Sequence, residues 1–183
     1  MEILSLKDFP DIPDMEEDGK SFLENALIKA RAVSKFTGEA VLADDSGLEV
    51  DVLGGAPGIY SSRYAGPDAT DEKNIRKLLV ELKDVDAEDR TASFRCVLVL
   101  FRPDGTYETF EGCWFGRIIF EPRGEKGFGY DPVFEDPKLG ITAAELLPDV
   151  KNVTSHRGRA IAKFREWMEQ TGTGQRATGS REK

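Results

Sequence analysis

Residues 92–120, ASFRCVLVLFRPDGTYETFEGCWFGRIIF, decide the fold. Residues 92–101 are rich in β-branched and aromatic side chains, Pro103-Asp104-Gly105 is a turn signal, and a second β-rich run follows over 107–120. Two strands joined this closely form a hairpin. With Asp104 and Gly105 at its tip, Cys96 and Cys113 fall opposite each other. A bulge breaks that register, and the cysteines then read as two small buried hydrophobes.

Upstream, after a short apolar run (3–6) and the prolines Pro10 and Pro13, Ser21-Phe22-Leu23-Glu24 has capping-box spacing. Phe22, Ala26, Ala30 and Val33 then recur at helical spacing, predicting a helix to about Lys35 that Thr37-Gly38 ends. Residues 40–43 form an apolar run stopped by two aspartates, as in a buried strand. Residues 48–53 alternate apolar and acidic, as in a half-buried one. Residues 54–58, Gly-Gly-Ala-Pro-Gly, must be a loop. Thr70 or Asp71 caps a second helix whose face is Ile75, Leu78, Leu79 and Leu82.

Downstream of the hairpin, Gly124, Gly127 and Gly129 mark a loop presenting Phe128, Tyr130 and Asp131. A capping box over 142–145 predicts a short helix. A last helix starts near Ser155, with Ile161, Phe164 and Met168 on one face and Trp167 adjoining. Residues 171–183 are small and polar, as expected of a disordered tail behind a domain over 1–170. Alternating helices and strands, then a hairpin, then helices imply an α/β domain with a mixed sheet.

The 183 residues suit one compact domain with a substantial core. No apolar run approaches the roughly 18 residues of a membrane span, and no basic region followed by an apolar stretch suggests a signal peptide. Two cysteines and no repeats fit a reduced, cytoplasmic protein. The net charge of −9 argues against general binding to nucleic acid, whose phosphates need a basic face. A small triphosphate is a different matter, because a divalent metal and a few local cations neutralise it inside a cleft.

Asp44-Asp45-Ser46-Gly47 sits where a buried strand ends and a glycine-permitted turn begins, the kind of place where α/β proteins carry functional groups. The stretch reads either as turn chemistry or as a magnesium site, since hard cations take carboxylate oxygens. Glu16, Glu17 and Asp18 are a solvated patch or further metal ligands. Ser155, His156 (the single histidine) and Arg157 are a helix cap followed by surface polar residues, or a helix N-terminus with a cation, suited to anionic or carbonyl oxygens. The aromatics of the 127–131 loop are a candidate platform for stacking a purine.

Five blocks together resemble the inosine/xanthosine triphosphate pyrophosphatase family: EEDGKSFLENALIKA from Glu16, LADDSGLEVDVLGGAPGIYSSRYAG from Leu42, GEKGFGYDPVF from Gly124, TAAEL from Thr142 and KNVTSHRGRA from Lys151. They span nearly all of 16–164 in that family's order. The resemblance implies an elongated α/β domain whose mixed, twisted sheet floors a nucleotide cleft between two lobes. It implies Mg²⁺-dependent attack of water on the α-phosphorus of dITP, ITP or XTP, giving the monophosphate and pyrophosphate, and a homodimer.

Residue by residue, Asp45 matches the family's general base and metal ligand, and Glu17 its other metal carboxylate. Ser46 matches a substrate contact. Phe128, Gly129, Tyr130 and Asp131 match the loop over the base, and Lys151, His156 and Arg157 the contacts to its edge. Lys29 is similar to a lysine that orients the phosphates. Two adjacent aspartates also admit Asp44 as the nucleophile of an aspartyl-phosphate phosphatase, although the Asp-x-Asp metal arrangement of that chemistry is missing.

The family's opening strand and its Thr/Ser-x-Asn-x-x-Lys phosphate loop have no counterpart before Glu16. A segment of roughly 20–25 residues, about one strand and one helix, is therefore expected upstream, an initiation codon assigned too late being the favoured reason. On that reading the 183-residue chain hydrolyses ITP poorly, and the alternative to an active enzyme is an inactive nucleotide-binding remnant.

Overall fold

A computed structural model describes residues 3–9, 12, 15 and 17–177; Pro10, Pro13 and Glu16 lie outside them. In chain order the regular elements are α1 (Phe22–Thr37), β1 (Val41–Val50), α2 (Asp71–Glu81), β2 (Thr91–Phe101), β3 (Tyr107–Ile118), β4 (Phe134–Asp136), β5 (Ile141–Thr142), α3 (Pro148–Thr154) and α4 (His156–Ala177). The strands form one sheet in the order β1-β2-β3-β4-β5. Where a mixed sheet was expected, every pairing among the described residues is antiparallel. Each strand simply pairs with the next one in sequence, so no parallel crossover arises.

The 92–120 hairpin forms, with a different tip. Arg102 N donates to Thr106 O at 2.9 Å, leaving Pro103, Asp104 and Gly105 as a three-residue loop, and Gly105 takes the left-handed conformation (φ 89°) that such a loop ends on. The register therefore slips by one. Cys96 stands opposite Gly112, and Cys113 opposite Arg95 on the other face. Cys96 is buried and Cys113 half-buried, both as free thiols.

β1 overturns the reading of two strands around a turn. It runs unbroken through Asp44-Asp45-Ser46-Gly47, with Asp44 opposite Leu98 and Asp45 opposite Val97, and ends at Val50. Carboxylates normally stop a buried strand because burying an unpaired charge is costly. Here each finds a cation on its own face of the sheet. Gly47 is required at its place: a Cβ there would stand 2.4 Å from Gly58 O.

The two faces of the long β1–β2–β3 ribbon carry separate cores. On one, α1 lays Phe22, Ala26 and Ala30 on Val97, Val99 and Phe101. On the other, α4 lays Ala160 on Cys96, Leu98 and Phe110, with Phe164 and Trp167 flanking. Farther along that second face Leu48, Phe94, Trp114 and Phe134 join Leu78 and Leu82 in the largest cluster. Each such side chain fully removed from water stabilises the fold by about 1.5–3 kcal/mol. The cleft described below opens between this cluster and α4.

The helix ends follow local chemistry. Ser21 Oγ accepts from Glu24 N at 3.2 Å, while the Glu24 carboxylate accepts from Lys20 N, and Gly38 closes α1 at φ 74°. Thr70 Oγ1 caps α2 through Lys73 N. The box over 142–145 makes a turn instead of a helix. Glu145 does accept from Thr142 N at 2.7 Å, but the Thr142 hydroxyl is spent on Arg123 O, and α3 waits for Pro148. α4 continues to Ala177, into the stretch read as a tail from 171; residues 178–183 lie outside those described. On α4 the packed stripe is Ala160, Phe164 and Trp167, whereas Ile161 stays exposed at the cleft.

Candidate active site

Alternation along β1 divides the site. Asp45 faces α1, where its Oδ1 accepts from Lys29 Nζ at 2.8 Å and its Oδ2 from Asn25 Nδ2 at 3.3 Å. Lys29 Nζ also lies 3.3 Å from Glu17 Oε1, so one ammonium joins the two carboxylates. Asn25 is fully buried and uses its own oxygen to accept from Gly19 N at 2.9 Å, tying the acidic segment to the helix. Burial pushes the Asp45 carboxyl above the ordinary carboxylate range, against the pull of Lys29 and Asn25.

Asp44 and Ser46 face the other way, toward α4. Asp44 Oδ2 accepts from Arg157 Nη2 at 2.7 Å and Nε at 3.2 Å, and from Ser46 Oγ at 3.0 Å. Burial would raise its pKa, but Arg157 outweighs that and holds it below the ordinary value. As a candidate phosphatase nucleophile Asp44 thus has its carboxylate engaged by a guanidinium.

A cleft of about 960 Å³ opens on this face, lined by Ser46, Ser61, Phe94 and residues of the 127–131 and 151–158 segments. Ser155 caps α4 by accepting from Gly158 N at 3.2 Å, as the sequence implied, and aims His156 and Arg157 at the cleft. His156 is stacked on Phe94 with centroids 4.9 Å apart, and its Nδ1 is buried without a hydrogen-bond partner. Burial, with Arg157 and Lys151 nearby, lowers its pKa to about 3, so the imidazole is neutral at neutral pH.

The glycine loop is braced by its own carboxylate. Asp131 pairs with Lys151 and accepts from Phe128 N at 2.8 Å, while Asp71 accepts from Gly129 N at 2.6 Å. Phe128 is left 64% exposed over the cleft, with Lys151 Nζ 5.4 Å from its ring centroid. Tyr130, read with the loop over the base, has its ring buried in the main core and donates to Ser61 O at 2.9 Å. It shapes the cleft wall from behind.

The structure thus gathers Ser46, Phe128, Gly129, Tyr130, Asp131, Lys151, His156 and Arg157 around one cleft, and Glu17, Lys29 and Asp45 on the opposite face of β1. Two carboxylates drawn to one cation are a donor set that a hard divalent ion accepts. No group of three or more His, Cys, Asp or Glu suited to a metal occurs among the described residues. A hard divalent ion held there would take its remaining ligands from water and other oxygens. Sequence reasoning missed Asn25 and the pairing role of Asp44. The signal for Asn25 was present: an amide on the inward stripe of an amphipathic helix, one turn before Lys29.

The Ham1 family model matches residues 1–167, a span that contains every one of these side chains. This chain belongs to the Ham1 family. Among similar proteins, the dITP/XTP pyrophosphatase of Geobacter sulfurreducens is 54% identical over 166 residues, covering 91% of this chain and 83% of that protein. The dITP/XTP pyrophosphatase of Geobacillus kaustophilus is 51% identical over 170 residues, covering 93% and 83%. The solved structure of the Staphylococcus aureus Ham1 protein superposes with a TM-score of 0.84 at 45% identity, covering 91% of this chain and 85% of that one.

Proposed function

We infer that this chain is a nucleoside triphosphate pyrophosphatase, hydrolysing dITP, ITP and XTP to the monophosphate and pyrophosphate and so removing deaminated purines from the nucleotide pool. The observation that carries the reading is the placement of a neutral histidine and an arginine in a cleft on one face of β1, with a lysine-bridged carboxylate pair on the other face. That arrangement occurs in a chain 54% identical to a protein named for this activity.

The base fits the cleft beside His156 and Arg157, beneath the exposed Phe128 ring. The triphosphate then crosses β1 toward Lys29, whose ammonium exchanges a carboxylate contact for a phosphate oxygen. Asp45 orients the attacking water and accepts its proton as the new P–O bond forms and pyrophosphate leaves. Mg²⁺ held by Glu17 and Asp45 would neutralise phosphate charge and polarise the water.

Selectivity follows from donors. Hypoxanthine and xanthine present a carbonyl at C6, which Arg157 N–H groups or the α4 N-terminus satisfy; adenine presents an amino donor that leaves them unpaired. Each such mismatch costs roughly 1–3 kcal/mol, so two give about a hundredfold discrimination or more. Homodimeric assembly and a cytoplasmic location complete the reading, supported by the family resemblance and by two free cysteines.

The test is product analysis with ITP, XTP and ATP, with Mg²⁺ or with chelator. Pyrophosphate from ITP and XTP, a rate at least about a hundredfold lower with ATP, and loss of turnover in chelator are expected. Orthophosphate as the product, or ITP binding without pyrophosphate release, overturns the proposal.

A further inference from the structure

Asp44 has no part in the chemistry above, yet it meets Arg157 through two N–H groups of one guanidinium edge, Nε at 3.2 Å and Nη2 at 2.7 Å, both on Oδ2. We propose that Asp44 is a positioning residue for base selectivity: it engages one edge of the Arg157 guanidinium so that the opposite edge faces the purine. The inference rests on the functional reading just given.

The geometry carries the argument. A guanidinium has five N–H donors in a rigid plane, so directing two of them at one oxygen fixes which edge faces the carboxylate and leaves three donors for a ligand. Ser46 Oγ donates to the same Oδ2 at 3.0 Å, and Cys96 Sγ lies 3.9 Å away. The carboxylate is thus held from its own strand and from the neighbouring one. Gly112, on the next strand, lets α4 come close enough: a Cβ there would stand 1.9 Å from His156 O. The strand and the helix that meet through this ion pair are therefore both fixed.

Charge gives the second reason. A triphosphate is the strongest anion this cleft meets, and an unpaired Arg157 would be drawn to it whatever base it carried. Asp44 satisfies that charge in advance, so Arg157 contributes directed donors to the base in place of general attraction to nucleotides. Because Asp44 precedes Asp45 in the same strand, the base-reading group and the water-orienting group hang from adjacent residues, one on each face.

The experiment compares Asp44→Ala, Asp44→Asn, Arg157→Ala and the Asp44→Ala/Arg157→Ala double variant by kcat and KM for ITP and ATP, with thermal midpoints recorded. Asp44→Ala is expected to raise KM for ITP about tenfold, to change kcat by less than about threefold and to cut the ITP-over-ATP preference about tenfold. Asp44→Asn, which keeps an acceptor oxygen, should recover part of the loss. In the Arg157→Ala background, removing Asp44 should add nothing, since it acts through that residue. A fall in kcat at unchanged KM and preference, or effects that multiply in the double variant, would overturn the proposal. Should the wild-type chain release no pyrophosphate from ITP, the functional reading fails separately. Equilibrium binding of inosine monophosphate then decides the role of Asp44, an unchanged Kd in Asp44→Ala refuting it.

Discussion

Asp44 and Asp45 are consecutive in β1 and point to opposite faces of the sheet, Asp44 to Arg157 of α4 at 2.7 Å and Asp45 to Lys29 of α1 at 2.8 Å. On the proposed function, one strand carries a base-side and a phosphate-side group in two successive residues. Period-two alternation makes this possible, and no helix or turn could do the same.

Replacing Asp45 tests the phosphate side. Asp45→Asn keeps the shape and an acceptor for Lys29 but removes the charge that receives the proton. Pyrophosphate release should fall by about a thousandfold or more, while circular dichroism and the thermal midpoint stay near wild type. Retained turnover would remove Asp45 from its assigned role.

Asn25→Ala should weaken both fold and chemistry. It strips the Asp45 carboxylate of one donor and leaves the Gly19 N–H without its acceptor. A loss of about 1–3 kcal/mol in urea unfolding is expected, together with a lower kcat for ITP. If stability drops and kcat holds, Asn25 serves the fold alone.

His156 should impose an acid sensitivity of its own. Its folded pKa is lowered from 6.5 to about 3, so between those values the unfolded chain takes up a proton that the folded chain refuses. Stability from this group is complete above 6.5 and is lost as pH falls toward 3, at about 1.4 kcal/mol per pH unit. Chemical denaturation across that window should show the excess slope in wild type and not in His156→Gln. Parallel curves would mean that the imidazole is protonated in the fold.

Gly112→Ala should push α4 off the sheet. The added Cβ would meet backbone, His156 O at 1.9 Å and Ala160 N at 2.8 Å, which cannot yield as a side-chain tip does. A destabilisation of about 1–3 kcal/mol is expected, with a raised KM for ITP because His156 and Arg157 move with the helix. Wild-type stability and KM together would show that α4 tolerates the shift.

Much of the frame was legible in the chain. Ser21, Thr70, Ser155 and Gly38 act on their own neighbours, so the helix ends they mark could be read locally. The hairpin was legible, but its register was not: whether Gly105 closes a two- or three-residue loop is a one-residue difference that moves Cys113 to the other face. Thr142 shows the same limit, because its hydroxyl is claimed by Arg123 O, nineteen residues away. Tyr130 reads as part of a base platform, and only the packing shows that it lines the cleft with its ring sunk in the main core.

The sequence by itself marked the candidate chemistry: Glu17, Lys29, Asp45, Lys151, His156 and Arg157 stand out by their blocks and order. Tertiary structure decided how they are divided. Asp44-Asp45-Ser46-Gly47 reads as a turn because local rules forbid two adjacent carboxylates in a buried strand. It is a strand because α1 and α4 bring Lys29 and Arg157 from 16 residues upstream of Asp45 and 113 residues downstream of Asp44. A charge is affordable inside a sheet only when its partner is already there, and that partner is visible only once the chain has folded.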